Sequence, residues 1–199
     1  CTAFDLDSLH FLDREIGLEK FKIPSGEIHT IDMLEYIAER DLPILLSTGM
    51  AGFDDIERSL AYLRGDITIL HCVSNYPASA ADMHLNLIPE IARRFGRPVG
   101  FSDHSQGNDC AIAAVAFGAS VVEKHVTLDR TLPGPDHEAS ATIEEFAHLV
   151  RSIRTIEAAL GGVEQVLSEG EKNVRNVARK SIVAARDLRV GETLQRGDL

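Results

Sequence analysis

Short apolar runs alternate with amphipathic segments along most of the chain. Five short segments carry apolar residues at neighbouring positions rather than in strict alternation, at residues 21–25, 43–48, 67–74, 98–105 and 121–127. Continuous apolar runs are typical of strands buried on both faces of a parallel sheet. Between them, apolar residues recur at helical spacing, which predicts helices at residues 9–17, 31–40, 54–63, 87–95, 109–117 and 142–160. The pattern therefore predicts repeated strand–helix units.

Each predicted strand carries a polar side chain near its end. These residues are Ser25, Ser47, Ser74, Ser102 and His125. Polar residues at the carboxyl ends of successive strands indicate a (β/α)8 TIM barrel. A doubly wound open sheet is the alternative, but it concentrates polar groups at one switch point. With a strand stub at residues 1–4, we expect strands from about the third to the eighth of the barrel.

The pattern changes after Gly161 and Gly162. We interpret residues 1–161 as part of a barrel catalytic domain and the charged residues 162–178 as a linker, with a solvated helix as the alternative for its charged part. Residues 179–199 read as a strand, a turn at Gly191 and a further element, which predicts the start of a small β-rich module. The chain opens on Cys-Thr-Ala-Phe-Asp, which reads like the end of a strand, so we expect a piece of a longer protein.

Composition narrows the possible partners. The chain has 199 residues, is 44% hydrophobic and 26% charged, and carries a formal net charge of −11. This charge argues against nucleic acid and against an anionic membrane surface, because both require clustered Lys and Arg. No apolar run approaches the ~20 residues of a membrane span, and no signal peptide is evident. Three cysteines without CxxC spacing indicate reduced thiols and a cytoplasmic protein.

Two histidines follow neighbouring predicted strands. Because a helical crossover makes these strands parallel, His104 and His125 lie at the same end of the sheet and can meet. Ser102 shares a face with His104, and Glu123 shares a face with His125, because side chains alternate along a strand. A divalent metal site is one interpretation. An ordinary core or rim role for each histidine is the other, and spacing leaves both open.

Short hydroxyl side chains recur beside one cation. Ser25, Ser47, Ser74 and Ser102 lie at four successive strand ends, and Lys22 precedes Ser25 by three residues. Hydroxyls with a cation suit a phosphate or a phosphorylated carboxylate. The alternative is that serine is simply a small polar residue at the end of each strand.

Three acids lie near these groups in the sequence. They are Glu27 beside Gly26, Glu123, and Asp136 in a Pro-Gly-Pro-Asp turn. As neighbours of a metal they are candidates for binding hydroxyls or moving protons. Each alone could equally be a solvated or salt-bridged acid.

Together these motifs resemble the sialic acid synthase family. The matching segments are KIPSGE (22–27), STGM (47–50), CVSNYP (72–77), GFSDH (100–104), EKHV (123–126) and PGPDH (133–137). They stand in the order and at the spacing of that family, and the segment from Arg179 resembles the opening of its C-terminal antifreeze-like (SAF) domain. The resemblance covers nearly all of the chain.

The resemblance implies a function and roles for individual residues. Family members are (β/α)8 barrels that condense phosphoenolpyruvate with an N-acetylated hexosamine, giving a nine-carbon 2-keto sugar acid and phosphate. His104 and His125 match the ligands of a divalent metal, Mn²⁺ or Mg²⁺. Phosphoenolpyruvate-binding positions match Thr2, Lys22, Ser25, Ser47, Ser74 and Ser102. Positions that hold the amino sugar match Glu27, Tyr76 and Asp136. A homodimer is expected from the resemblance alone.

Some details leave the substrate open. Ser74 stands where other members carry Asn, which shortens the reach of this polar group. Gly26 favours the sialic and legionaminic branches over the pseudaminic branch, which has an aromatic residue there. We interpret Glu123 as a base from strand alternation, with an orienting role toward the metal ligands as the alternative. Another phosphoenolpyruvate-dependent keto-deoxy-sugar acid synthase and a non-catalytic carbohydrate-binding fragment are the rival functions.

Overall fold

A single parallel sheet forms the centre of the structure, a computed structural model that describes residues Cys1 to Leu199. Its strands are β1 (Phe21–Ile23), β2 (Ile44–Ser47), β3 (Ile67–Cys72), β4 (Val99–Asp103) and β5 (Val122–Lys124). Each strand pairs in parallel with the next along the chain, so the order in the sheet is the order in the sequence. The predicted parallel α/β architecture is confirmed.

Helices precede, connect and follow the strands. They are α1 (Leu6–Phe11), α2 (Ile31–Ala38), α3 (Phe53–Tyr62), α4 (Leu87–Phe95), α5 (Asp109–Ala116), α6 (Ile143–Leu160) and α7 (Glu169–Ala178). A π-helical segment, Leu12–Ile16, continues α1 and ends at Gly17 with φ 77°. Two short strands, β6 (Val126–Thr127) and β7 (Ala141–Thr142), pair separately before α6.

The sheet curls strongly around its interior. Lys22 on β1 and Glu123 on β5 belong to its outermost strands, yet Lys22 Nζ lies 3.4 Å from Glu123 Oε2. In a flat sheet these strands would be about 19 Å apart, at ~4.8 Å per strand, which is too far for the two side chains to meet. Thr2 adds a parallel bridge to Lys22, so the predicted stub lies beside β1.

The strand interiors make the core. Ile23, Leu46, Ile69 and Phe101 have no exposed surface, and the helices cover the outer face with residues such as Leu34. Burial on both faces explains why the strands read as continuous apolar runs.

The chain divides into two compact units, Cys1–Gly161 and Gly162–Leu199. In the second unit, α7 lies within the segment predicted to be a linker, and it begins with a capping box between Ser168 and Glu171. The strand predicted after Arg179 does not form; the only regular element there is a 3₁₀ turn, Arg196–Asp198. A strand requires a paired neighbour for its backbone groups, and no neighbouring strand is present in this unit. No helix in the structure combines the length and apolar character needed to cross a membrane.

Candidate active site

A cavity of about 500 Å³ opens at the carboxyl ends of the strands. The predicted site residues that line it are Thr2, Lys22, Ser25, Ser47, Ser74, Tyr76, Ser102, His104, Glu123, His125 and Asp136. They come from many separate segments of the chain, and the parallel sheet brings them together because all its strands end on one side.

One side of the cavity is a tight ring of hydroxyls around Gly49. The Gly49 backbone N–H donates a 2.9 Å hydrogen bond to Ser25 Oγ. A methyl group built on Gly49 would come within 2.1 Å of Ser74 Oγ and 2.9 Å of Ser25 Oγ. Only glycine leaves room for these hydroxyls to converge, so the backbone at this position shapes the ring.

Ser47 contributes a hydroxyl without a partner. The residue is 2% exposed, and its Oγ makes no hydrogen bond. Buried polar groups are nearly always paired, and an exception requires an explanation. A ligand oxygen that accepts a hydrogen bond from this hydroxyl would satisfy it. Lys22 lines the same cavity and supplies a positive charge. We name the set of Lys22, Ser25, Ser47 and Ser74 the hydroxyl ring.

The two predicted metal ligands lie side by side. His104 follows β4 directly, His125 follows β5 directly, and their ring centroids are 5.3 Å apart at an interplanar angle of 74°. An imidazole nitrogen binds a divalent ion at about 2.1 Å, so rings at this separation can share one ion. No group of three or more His, Cys, Asp and Glu side chains converges on a metal position. The pair therefore fits a metal site in which substrate or water would complete the coordination.

Hydrogen bonding settles which His104 nitrogen is available. Nδ1 lies 2.7 Å from the Val73 carbonyl oxygen, which can only accept, so Nδ1 carries the proton and donates. In the neutral ring Nε2 then holds the free lone pair, the arrangement usual for a metal-binding histidine. Burial acts to lower the pKa of His104, but contacts with Cys72 and the Val73 carbonyl outweigh it and raise this pKa. At His125, burial and the neighbouring His104 lower the pKa and favour the neutral ring.

Tyr76 covers both imidazoles. Its ring centroid lies 4.1 Å from that of His104 and 5.5 Å from that of His125. Burial, followed by nearby Cys72, Asp136 and Glu123, raises the pKa of the Tyr76 hydroxyl. The phenol therefore stays protonated at neutral pH and can donate a hydrogen bond at the cavity mouth.

Glu123 joins the two halves of the cavity. Its carboxylate accepts a 2.7 Å hydrogen bond from Ser102 Oγ and pairs with Lys22 at 3.4 Å. Ser102 therefore already has an acceptor, unlike Ser47. Asp136 lies on the other side, with Oδ2 3.9 Å from His125 Nδ1.

Glu27 is the one predicted site residue that does not line the cavity. Glu27 is the last residue of the 3₁₀ turn Ser25–Glu27, and its carboxylate accepts a hydrogen bond from Thr30 Oγ1, three residues later. Its place in the sequence beside Gly26 did not fix the direction of its side chain.

Four lining residues were not among the candidates predicted from the sequence: Phe4, Pro24, Met50 and Cys72. Phe4 and Met50 are exposed and form an apolar rim, and Cys72 is buried, with Sγ 3.7 Å from His104 Nδ1. Burial acts to raise the pKa of the Cys72 thiol, but hydrogen bonding to His104 and serines lowers it overall. Alternation along the predicted strand could have identified the cysteine, since Cys72 lies two residues before Ser74 and shares its face.

A curled parallel sheet with hydroxyls and two imidazoles at its carboxyl end places this chain in the class of barrel-type α/β proteins. The model of the NeuB family matches residues 1–165. The chain belongs to this family, which confirms the resemblance found in its motifs.

Relatives share sequence along the whole chain. It is 43% identical over 205 residues to the N,N'-diacetyllegionaminic acid synthase of Campylobacter jejuni, covering 100% of this chain and 61% of the relative. It is 41% identical over 206 residues to the synthase of the same name from Legionella pneumophila, covering 100% of this chain and 58% of the relative. The chain thus spans about three fifths of the length of these relatives.

A solved structure shows the same fold. The N-acetylneuraminic acid (sialic acid) synthetase of Leptospira borgpetersenii superimposes with a TM-score of 0.80 at 38% identity. The match covers 90% of this chain and 65% of that protein.

Proposed function

We propose that the intact protein condenses phosphoenolpyruvate with an N-acetylated hexosamine, N-acetylmannosamine or a diacetamido-deoxy relative. The products are a nine-carbon 2-keto sugar acid of the sialic or legionaminic type and phosphate. One observation carries the proposal: a hydroxyl ring with an unpartnered buried Ser47 lies in the same cavity as the paired imidazoles.

The hydroxyl ring binds the phosphate end of phosphoenolpyruvate. Lys22 and the serine hydroxyls donate to phosphate and carboxylate oxygens, and the charge-assisted bonds from Lys22 are the strongest. Holding both ends of this small anion presents the enol carbon to the sugar aldehyde, and such positioning lowers the barrier by several kcal/mol (~7 or more in favourable cases).

His104 and His125 would hold a divalent metal, Mn²⁺ or Mg²⁺. A divalent ion held there would supply Lewis-acid polarisation of the sugar aldehyde. Tyr76 and Asp136 lie around the two rings and hold the amino sugar by hydrogen bonds. Glu27 binds the sugar only if its carboxylate gives up its hydrogen bond from Thr30 and accepts one from a sugar hydroxyl.

Bonds and protons balance around Glu123. The methylene carbon (C3) of phosphoenolpyruvate forms a bond to the aldehyde carbon, which leaves C2 electron-deficient. Water adds to C2 as Glu123 accepts one of its protons, and this proton passes on to the aldehyde oxygen, which becomes a hydroxyl. The bond between C2 and the phosphate-bearing oxygen then breaks, the C2 hydroxyl gives its proton to the departing phosphate, and C2 becomes the ketone carbon.

We also propose a domain assignment for the intact protein. Residues 1–161 are part of a (β/α)8 barrel, 162–178 a linker, and 179–199 the start of an SAF module. The sheet curl across Lys22 and Glu123 supports the barrel. The family resemblance supports the SAF module and a homodimer, which light scattering on the purified protein would test.

Phosphate release tests the activity. The intact protein with Mn²⁺ is given phosphoenolpyruvate together with N-acetylmannosamine, its 6-deoxy diacetamido relative or arabinose 5-phosphate. We expect release with an acetamido sugar and none without sugar. Release with arabinose 5-phosphate alone would instead identify a keto-deoxy-sugar phosphate synthase, and no release with any sugar would favour carbohydrate binding without catalysis.

Histidine variants test the metal assignment. His104→Ala and His125→Ala should each abolish metal-dependent phosphate release, because one imidazole cannot hold the ion at this open site. Full activity in either variant would contradict the assignment.

A further inference from the structure

A buried ion pair lies behind the cavity, on the opposite face of the sheet. Lys124 Nζ is 2.7 Å from Asp103 Oδ2, and the two side chains are 2% and 0% exposed. These residues are direct partners in the register of β4 and β5, and they form its last pair. Neither belongs to the cavity lining.

The pair encloses the backbone around His104. Lys124 Nζ also donates to the Ser105 carbonyl oxygen at 2.9 Å. Asp103 Oδ1 accepts from the Ser105 N–H at 2.8 Å and from Ser105 Oγ at 2.6 Å. The residues before and after His104 are therefore tied to one ammonium group carried by β5.

The ion pair joins the two residues that directly precede the histidines in the sequence. Asp103 immediately precedes His104, and Lys124 immediately precedes His125. On the cavity face, Ser102 and Glu123 form a matching hydrogen-bonded pair one position earlier. Polar pairs on both faces of the sheet therefore join β4 to β5 immediately before His104 and His125.

Fold stability alone does not explain this pair. Removing two charges from water is costly, and replacing a buried ion pair by apolar residues of similar volume is often neutral or stabilising. What a buried pair can supply is a defined register. A slip of one residue between β4 and β5 would turn one histidine to the other face of the sheet.

We propose that Asp103 and Lys124 are positioning residues that fix the separation of the His104 and His125 rings. Their value for the reaction rests on the proposed function, since the ring separation matters most where both rings bind one metal.

The test separates folding from ring placement. The double variant Asp103→Leu/Lys124→Met removes both charges and keeps the site apolar. We expect this variant to fold with a lower Tm than the parent, because the buried Ser105 N–H, hydroxyl and carbonyl lose their partners. Its Mn²⁺ affinity, measured by calorimetry on the intact protein, should fall about 10-fold or more, as for other groups that orient metal ligands. Ile37→Val, in the buried face of α2, is a control that perturbs the core and leaves Mn²⁺ affinity unchanged.

A second double variant guards against misfolding. Asp103→Asn/Lys124→Gln keeps the volume and hydrogen-bonding groups without the charges. Parental Mn²⁺ affinity in either folded double variant would overturn the proposal. Failure of both to fold would also overturn it, because the pair would then serve the fold rather than the rings.

Crystal structures distinguish this proposal from the metal assignment. If the parent binds no Mn²⁺, the proposed metal is wrong. The distance between the His104 and His125 rings then tests whether Asp103 and Lys124 position them. Rings that remain 5.3 Å apart in the metal-free double variant would refute it, and a changed separation would support it.

Discussion

At the scale of single residues, Ser47 offers a direct test of ligand binding in the cavity. Its buried hydroxyl lacks a partner, and such a group costs about 1–3 kcal/mol. We predict that Ser47→Ala raises the free energy of unfolding of the ligand-free protein by about 1 kcal/mol. The same change should raise KM for phosphoenolpyruvate, since the ligand loses a donor. Denaturant titration and phosphate-release kinetics measure the two effects.

Ser59 provides the matched control. It is 1% exposed like Ser47, but its hydroxyl is hydrogen-bonded to the Ile28 and Asp55 carbonyl oxygens. Ser59→Ala should therefore lower the free energy of unfolding by about 1 kcal/mol and leave KM unchanged. Destabilisation by Ser47→Ala with an unchanged KM would show that its hydroxyl has no ligand to meet.

Gly49 limits the space inside the hydroxyl ring. A Cβ there would lie 2.1 Å from Ser74 Oγ and 3.2 Å from Cys72 Sγ, so the surrounding side chains must move. We predict that Gly49→Ala raises KM for phosphoenolpyruvate about 10-fold or more, equivalent to about 1.4 kcal/mol of binding energy. Circular dichroism should show that the helical content is unchanged.

Gly52, three residues further along, is the control for Gly49. A Cβ there would meet only Asp55 Oδ2, at an ordinary 3.6 Å. Gly52→Ala should therefore keep the parental KM. Equal kinetics for the two variants would contradict the role given to Gly49.

At the scale of elements, a polar cluster joins the π-helical segment Leu12–Ile16 to α2. Asp13 Oδ2 accepts hydrogen bonds from Tyr36 Oη at 2.6 Å and Arg40 Nε at 2.9 Å. Arg40 also lies over the Tyr36 ring, 4.1 Å from its centroid. The hydrogen bond from Tyr36, opposed in part by burial and aided by Arg40, lowers the pKa of Asp13.

This cluster predicts a pH dependence of stability. A lowered folded-state pKa gives stability that is present above the unfolded-state pKa of about 3.9 and is lost as pH falls through the folded-state value. We predict that Asp13→Asn costs about 1–2 kcal/mol at pH 7 and that the difference from the parent shrinks below about pH 4. Urea titrations at several pH values measure it, and a difference independent of pH would contradict the assignment.

Local patterns predicted elements well where the sequence carries its own stop and start signals. The capping box of Thr142 and Glu145 set the start of α6, and Gly96, with φ 60°, ended α4 where expected. Strand ends were predicted less well. The first strand was predicted to end at Ser25, but β1 ends at Ile23 because Ser25 begins a 3₁₀ turn. The strand predicted after Arg179 failed because β-structure depends on a partner that no local pattern reveals.

At the scale of the whole molecule, the sequence predicted which residues gather but not which pairs touch. Strand-end position was enough to group His104 with His125. The contact between Lys22 and Glu123 depends on the curl of the complete sheet, and the hidden pair of Asp103 and Lys124 depends on exact register. Such long-range geometry is the sum of twist over several strands, which spacing along the chain does not encode.

The contact between Lys22 and Glu123 makes Glu123 the clearest test of how the hydroxyl ring and the paired imidazoles act together. Its carboxylate holds Lys22 and Ser102 and makes no hydrogen bond to either imidazole. We predict that Glu123→Gln lowers kcat about 100-fold or more, the usual effect of losing a general base, and changes Mn²⁺ affinity less than about 3-fold, well below the ~10-fold loss seen when an orienting partner is removed. KM for phosphoenolpyruvate should not rise, because Lys22 is freed for the phosphate.

Kinetics and calorimetry on the same preparation separate the two roles of Glu123. Glu164→Gln, at an exposed position in the second unit, is the control for loss of one negative charge and should match the parent in both measurements. A large loss of Mn²⁺ affinity with kcat nearly kept would assign Glu123 to orienting the metal ligands. Asp103 and Lys124 join the same two strands on the opposite face of the sheet. That result would therefore mean that polar pairs on both faces of β4 and β5 position the two imidazole rings. Asp136 or water would then carry out the proton transfer.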